Sequence, residues 1–170
     1  AQPLVAGDAD GTDRGSRWII VLATVGDCKA FHWSARTETV GEITEGNRHN
    51  SRDARDCGGR LGPAQNGTEP DLRNFSVHHE LVEENDLIMF VSDGVHDNLD
   101  PEHLGLSPLE TAEATGTGVV KAGKDDGWDD IDPGHVELLK NAFRKERLRK
   151  LLVDARVTAG ERLDDKGRLG

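Results

Sequence analysis

The sequence is poor in aromatic residues, in cysteine and in long apolar runs. Its 170 residues include three Trp, four Phe and no Tyr, so part of the chain is expected to stay outside a packed core. Two cysteines are too few for a disulfide framework or a structural zinc site. The apolar runs are far shorter than the roughly twenty residues that span a bilayer. No membrane partner is therefore predicted.

Acidic residues outnumber basic ones by 32 to 21, which gives a net charge of −11. This balance argues against nucleic acid as a partner, because such binding depends on Lys and Arg neutralising phosphates. The first residues lack the basic and apolar segments of a signal peptide, so the cytoplasm or nucleus is the expected location. The absence of an initiator Met favours a fragment or a processed product.

The distribution of apolar residues predicts an α+β chain with two antiparallel hairpins and a C-terminal helix. Residues 1–16 are expected to form a flexible lead-in, and residues 17–104 the main domain. Residues 105–134 are interpreted as a linker or insertion, because they are rich in Gly, Thr, Pro and acids. Residues 135–158 form the predicted helix, and residues 159–170 a disordered tail.

Four strands are predicted in the main domain. The β-branched, apolar run at 18–25 indicates a buried strand, and 29–33 would be its hairpin partner across Gly26-Asp27. Residues 75–81 alternate apolar and polar side chains, which predicts a half-buried strand. An acidic turn then leads to 87–91, an apolar run that predicts a fully buried strand.

Three acids stand out because they follow predicted strands. Asp27 lies in the first turn, Asp93 directly follows the most apolar strand, and Asp97 comes four residues later. A carboxylate at the end of a rigid strand can position a hard metal ion, and converging acids require a cation to neutralise them. The alternative is that Asp27 is a turn residue and Asp97 a helix cap.

Two segments resemble motifs of the metal-dependent (type 2C, or PPM-type) protein phosphatases. Residues 26–31, GDCKAF, resemble that family's "GD-S-R-A-Y" hairpin. Residues 70–97, which end in LIMFVSDGVHD, are similar to its strand, acidic turn, strand and "D-G-x-x-D" loop. Residues 59–62, GRLG, resemble the Gly-containing turn between these motifs. The resemblance covers residues 17–104 approximately.

This resemblance implies an α/β/β/α sandwich that holds two Mn²⁺ or Mg²⁺ ions and dephosphorylates phosphoserine and phosphothreonine in proteins. A metal-bridged water is the nucleophile in that family. By position, Asp93 would be a primary metal ligand, and Asp27 and Asp97 would share a weaker, additional site. The implied partner is a phosphoprotein substrate.

The chain also departs from the family pattern. The family's first motif, "D-G-H-G-G", should lie well before the first hairpin, and residues 10–13 are too close and have the wrong following residues. Its last "D-N" motif is not found after the predicted helix, and His96 replaces a bulky residue that is usually Trp. The isolated chain is therefore expected to be inactive. The alternative is a non-catalytic, phosphatase-like module that acts through protein binding.

Other patterns are weaker. Residues 8–12, DADGT, match a dehalogenase-type phosphatase loop but follow a poor strand. Residues 118–124 have phosphate-loop spacing without a strand before them or a helix after them. The basic face of the predicted helix is expected to be solvated or paired with acids in 125–132, with an anionic partner as the lesser alternative.

Overall fold

A computed structural model describes residues 17–44, 58–63, 67–118 and 126–161, with side chains as far as residue 155. These residues mix antiparallel sheets with helices, which confirms the α+β class expected for part of a type 2C-like domain. In chain order the elements are β1 (Arg17–Thr24), β2 (Lys29–Ser34), β3 (Thr39–Glu42), β4 (Arg60–Pro63), β5 (Pro70–Asp71), β6 (Ser76–Glu83), β7 (Leu87–Val91), α1 (Asp93–His96), α2 (Pro108–Thr115) and α3 (Pro133–Glu161).

The described residues divide into two compact units. The first contains residues up to Thr37 and from Gly41 to His96, and it holds nearly all of the sheet structure. The second contains residues 38–40 and those from Asp97 onward, and it holds α2 and α3. None of the described helices is both long enough and apolar enough to cross a membrane.

The predicted hairpin pairing is wrong. β1 pairs antiparallel with β6, from Arg17 opposite Glu83 to Thr24 opposite Ser76. β2 pairs with β7 instead, in a separate sheet of order β3–β2–β7. The pairing extends over all eight residues of both strands, so β1 and β6 satisfy each other's backbone groups along their whole length.

The predicted burial of these strands also needs correction. The face of β1 and β6 that carries Ile19, Val21, Val77 and Leu81 is exposed, with Val21 at 69%. β7 is not fully buried either, since Phe90 is 66% exposed. The buried apolar residues of this unit lie mainly on β2, at Ala30, Phe31 and Trp33. An apolar pattern shows which residues can be buried, but another layer must cover them.

A polar cluster joins the β1–β6 sheet to the sheet that contains β2 and β7. His32 on β2 places Nδ1 2.9 Å from Glu80 Oε1 on β6 and Nε2 2.9 Å from Asp86 Oδ2. The carboxylate of Asp86 also accepts the backbone N–H groups of Glu83, at 2.8 Å, and Ala35, at 2.9 Å. One buried carboxylate therefore fixes the turn between β6 and β7 against the end of β2.

The second unit contains a helix within the segment interpreted as a linker or insertion. α2 begins with a capping box in which Ser107 and Glu110 bond reciprocally, and it ends at Gly116 with φ +66°. It packs against α3. The Ser-Pro-x-Glu pattern at its start was a readable helix signal, and the surrounding Gly and Thr residues obscured it.

α3 confirms the predicted C-terminal helix and runs to Glu161, into the segment predicted as a tail. One basic residue of its expected solvated face is in fact buried. Lys140 Nζ lies 3.2 Å from Asp100 Oδ2, 2.5 Å from Glu102 Oε2 and 5.2 Å from the centre of the Trp128 ring. The acids come from the loop that follows Asp97, not from 125–132 as predicted.

We expect Asp86→Asn to lower the free energy of unfolding by about 1–2 kcal/mol near pH 7. Burial raises the pKa of Asp86, but the bonds from Glu83, His32 and Ala35 outweigh it, so the net pKa is lowered. A lowered pKa gives stability that is present above the ordinary value of ~3.9 and is lost as the pH falls through the lower, folded-state pKa. Urea unfolding measures this effect. The difference in the free energy of unfolding between wild type and variant should become smaller as the pH falls through this range.

The matched control is Glu84→Gln, which removes an exposed carboxylate two residues away. It should change the free energy of unfolding by no more than about 0.5 kcal/mol. A difference for Asp86→Asn that stays constant down to strongly acid pH would contradict the assigned role of its charge.

Candidate functional site

The β2–β7 pairing brings two of the predicted acids to the same end of a sheet. Lys29, the first residue of β2, lies opposite Val91, the last residue of β7. Asp27 comes just before β2 and Asp93 just after β7, so both segments leave the sheet at the same end. Asp27 is 7% exposed, whereas Asp93 is exposed.

His96 joins the two segments directly. Its imidazole is 1% exposed, and its Nε2 donates a hydrogen bond of 3.1 Å to the carbonyl oxygen of Asp27. The short helix α1 turns the chain so that His96 points back into the unit, while Asp93 stays at the surface. The residue that departs from the family pattern therefore anchors the Asp93 loop to the Asp27 turn.

Asn74 fixes the Gly26-Asp27 turn from the other side. Its Oδ1 accepts the N–H of Gly26 at 2.9 Å, and its Nδ2 donates to the carbonyl of Gly26 at 2.5 Å. Asn74 is 5% exposed, so water competes little with these bonds. Gly26 has φ +97°, a left-handed conformation that glycine adopts readily.

Gly58 and Gly59 lie against Asn74, whereas most of the segment 59–62 that was predicted as a Gly-containing turn belongs to strand β4. A Cβ at Gly59 would stand 2.5 Å from Asn74 Oδ1 and 2.7 Å from the carbonyl oxygen of Asp71. A Cβ at Gly58, where φ is +70°, would stand 2.5 Å from Asn74 Nδ2. These glycines are therefore required by the close approach of their backbone to the carboxamide.

A buried ion pair lies at this end of the sheet. Lys29 Nζ is 2.6 Å from Glu42 Oε1, and both side chains are almost completely buried. The next residue on β2, Ala30, donates its N–H to the Thr44 hydroxyl at 3.1 Å. The start of β2, and with it the position of Asp27, is thus held by charge as well as by the sheet.

The predicted metal ligands occupy different surroundings. One carboxylate oxygen of Asp93 accepts the N–H of Gly94 at 2.7 Å. Asp97 is half-buried and belongs to the second unit, where it begins a 3₁₀ turn. Its carbonyl oxygen accepts the N–H of Asp100 at 3.0 Å and a bond of 3.3 Å from His103 Nδ1.

These residues do not form a complete metal site. Within 17–44, 58–63, 67–118 and 126–161, no three His, Cys, Asp or Glu side chains form a group that could hold an ion. A site for Mn²⁺ or Mg²⁺ would need ligands beyond those placed here. The patterns at 8–12 and 10–13 lie outside the described residues, as do most of 118–124, residues 1–16 and 162–170.

Half of the chain is similar to a type 2C-like protein. The PP2C-like domain-containing protein CG9801 of Drosophila melanogaster is 34% identical over 87 residues, which are 50% of this chain. The same residues are 12% of the fly protein, so the chain spans a small part of that relative. No family model and no solved structure matches the chain. The similarity indicates a relation to type 2C-like domains over half of the chain.

Two residues that shape the site were not predicted. Asn74 lies in a loop, and neither its periodicity nor its neighbours distinguish it from a turn residue. His96 was noted only as a departure from a pattern.

We expect Asn74→Ala to lower the free energy of unfolding by about 2 kcal/mol, because both polar groups of the Gly26 peptide lose a buried partner. Asn74→Asp retains an acceptor for the Gly26 N–H but places a carboxylate oxygen against the Gly26 carbonyl. Its stability should therefore recover in acid, where the protonated carboxyl can donate.

Hydrogen exchange at the Gly26 amide separates this role from general destabilisation. Both variants should lose protection there before the amides of β1 and β6 do. Asn85→Asp, the same chemical change at an exposed turn, is the matched control and should leave the Gly26 amide protected. Unchanged exchange at Gly26 in the Asn74 variants would refute the assignment.

Proposed function

We propose that the chain is part of a type 2C-like domain that removes phosphate from phosphoserine and phosphothreonine in proteins. The cofactor implied for the complete domain is Mn²⁺ or Mg²⁺, and the proposed location is the cytoplasm or nucleus. Asp93 and Asp27 are the proposed metal-binding residues of the first unit, and Asp97 is the third candidate.

One observation carries this proposal. The Asp27 turn and the Asp93 loop are far apart in sequence, yet His96 bonds directly to Asp27 in the folded unit. Turn and cap residues with purely local roles do not require this contact. The similarity to the fly protein supports the same reading for half of the chain.

A non-catalytic, phosphatase-like module is the second candidate. The observation that favours it is the incomplete set of ligands, because the described residues do not group three metal-binding side chains. Such a module would keep the strand pairing and the clamped turn while acting through protein binding.

The purified 170-residue chain should not hydrolyse an aryl phosphate, even with millimolar Mn²⁺, because the part of the chain that the structure describes does not group three metal-binding side chains. The assay is release of the coloured alcohol, with and without a chelator. Mn²⁺-dependent turnover that a chelator abolishes would show that the site lies elsewhere in the chain.

Asp93→Asn in the full gene product should lower phosphopeptide hydrolysis by about a hundredfold or more, because the amide keeps the size but loses the charge that a hard cation requires. Asp27→Asn and Asp97→Asn should affect the rate less and mainly raise the Mn²⁺ concentration required. A Mn²⁺ titration of all three variants measures both effects.

Glu84→Gln is the control for the loss of one negative charge from the same unit. It should retain both the rate and the Mn²⁺ requirement. Near-normal turnover by Asp93→Asn would contradict the proposed metal-binding role and would leave these acids as turn and cap residues, whereas absence of turnover in the wild-type gene product would favour the non-catalytic module.

A further inference from the structure

One stretch of α3 has a local excess of positive charge and holds five of the 21 basic residues of the chain. Residues 144–150 contain five basic residues and one acid, a local charge of +4, and the rest of the chain therefore carries −15 to give the total of −11. A phosphoprotein is anionic and would be repelled by most of this chain. Attraction must come from a restricted surface.

Within this stretch, Arg144, Arg147 and Lys150 follow one another at three-residue intervals. On an α-helix such residues form one continuous ridge. Arg147 and Lys150 are exposed, and Arg144 is half-buried, with an Nη2 bond to the side chain of Asn141. We call these three residues the α3 ridge.

Glu146, the one acid within the stretch, pairs mainly with Arg149, which is not part of the α3 ridge. Arg149 donates from Nε and Nη2 to the two oxygens of Glu146, at 2.8 and 2.9 Å. Lys150 Nζ is 3.6 Å from the same carboxylate and its side chain remains 61% exposed, so this second pair is loose. Most of the positive charge of the ridge therefore faces outward.

The packing of α3 selects the kind of partner. Its apolar residues Leu139, Phe143 and Leu148 are buried, so they cannot enter a lipid surface or an apolar groove. Leu138 and Leu151 are exposed, at 43% and 53%, but they lie more than three helical turns apart and do not form a continuous apolar face beside the row of cations. Such a row matches the oxygens of a phosphate or a carboxylate.

We propose that the α3 ridge binds an acidic, phosphorylated segment of a protein. The proposal rests on the proposed function only in naming a phosphoprotein, since the binding itself requires neither a metal nor turnover. In the complete protein, the ridge would hold an anionic substrate that the remaining surface repels.

The test is fluorescence anisotropy with a labelled peptide whose phosphoserine is flanked by Asp and Glu, titrated with the 170-residue chain in the presence of a chelator. The double variant Arg147→Gln, Lys150→Gln should weaken binding about tenfold. The control Arg36→Gln, Arg73→Gln removes two exposed charges elsewhere and should stay within about twofold. Circular dichroism confirms that both variants are folded.

Several results would overturn the proposal. They are absence of peptide binding, equal weakening by both double variants, or equal affinity for the unphosphorylated peptide. Binding to anionic phospholipid vesicles that depends on the ridge, without binding to the peptide, would assign it to membranes instead. The binding assay contains a chelator and requires no turnover, so a failed phosphatase assay and a failed binding assay remain distinguishable.

Discussion

In the first unit, two chain segments leave one sheet and enter another, and the rest of the unit depends on this crossing. β1 continues into β2 through residues 25–28, and β6 continues into β7 through residues 84–86. Backbone groups at such bends lose their partners in the sheet and need others. Asn74 supplies both at the first crossing, and Asp86 accepts two N–H groups at the second. One buried polar side chain thus stabilises each crossing.

The candidate site follows from the first crossing. Asp27 lies within the bend, and the register of β2 with β7 places the bend beside the loop after β7. Asn74 donates to the carbonyl oxygen of Gly26, which precedes Asp27, and His96 donates to the carbonyl oxygen of Asp27 itself, so the backbone is held on both sides of this residue. A carboxylate on such a backbone has little freedom to adjust, which suits a fixed ligand better than a mobile surface acid.

Strand positions and the long helix could be predicted because they depend on local periodicity. Strand partners could not, because 29–33 fits either a hairpin with β1 or a sheet with β7, and contacts between segments distant in sequence decide between them. The closeness of the Asp27 and Asp93 segments was anticipated through the family resemblance. Asn74 was missed because its role exists only once Gly26, Gly58 and Gly59 are brought around it. Long-range contacts of this kind leave no periodic signal.

A loop that packs against α3 changes the role of one of its basic residues. The helical pattern by itself predicts that all of the basic residues lie on a solvated face. The loop from Asp97 brings Asp100 and Glu102 back to Lys140, which makes this charge internal. Removing both acids would leave the buried ammonium group without a carboxylate partner, at a cost of about 3–5 kcal/mol. From Arg144 onward, Arg147 and Lys150 are exposed. The helix is therefore divided along its length, with charge that stabilises the second unit before Arg144 and charge available to an anionic partner after it.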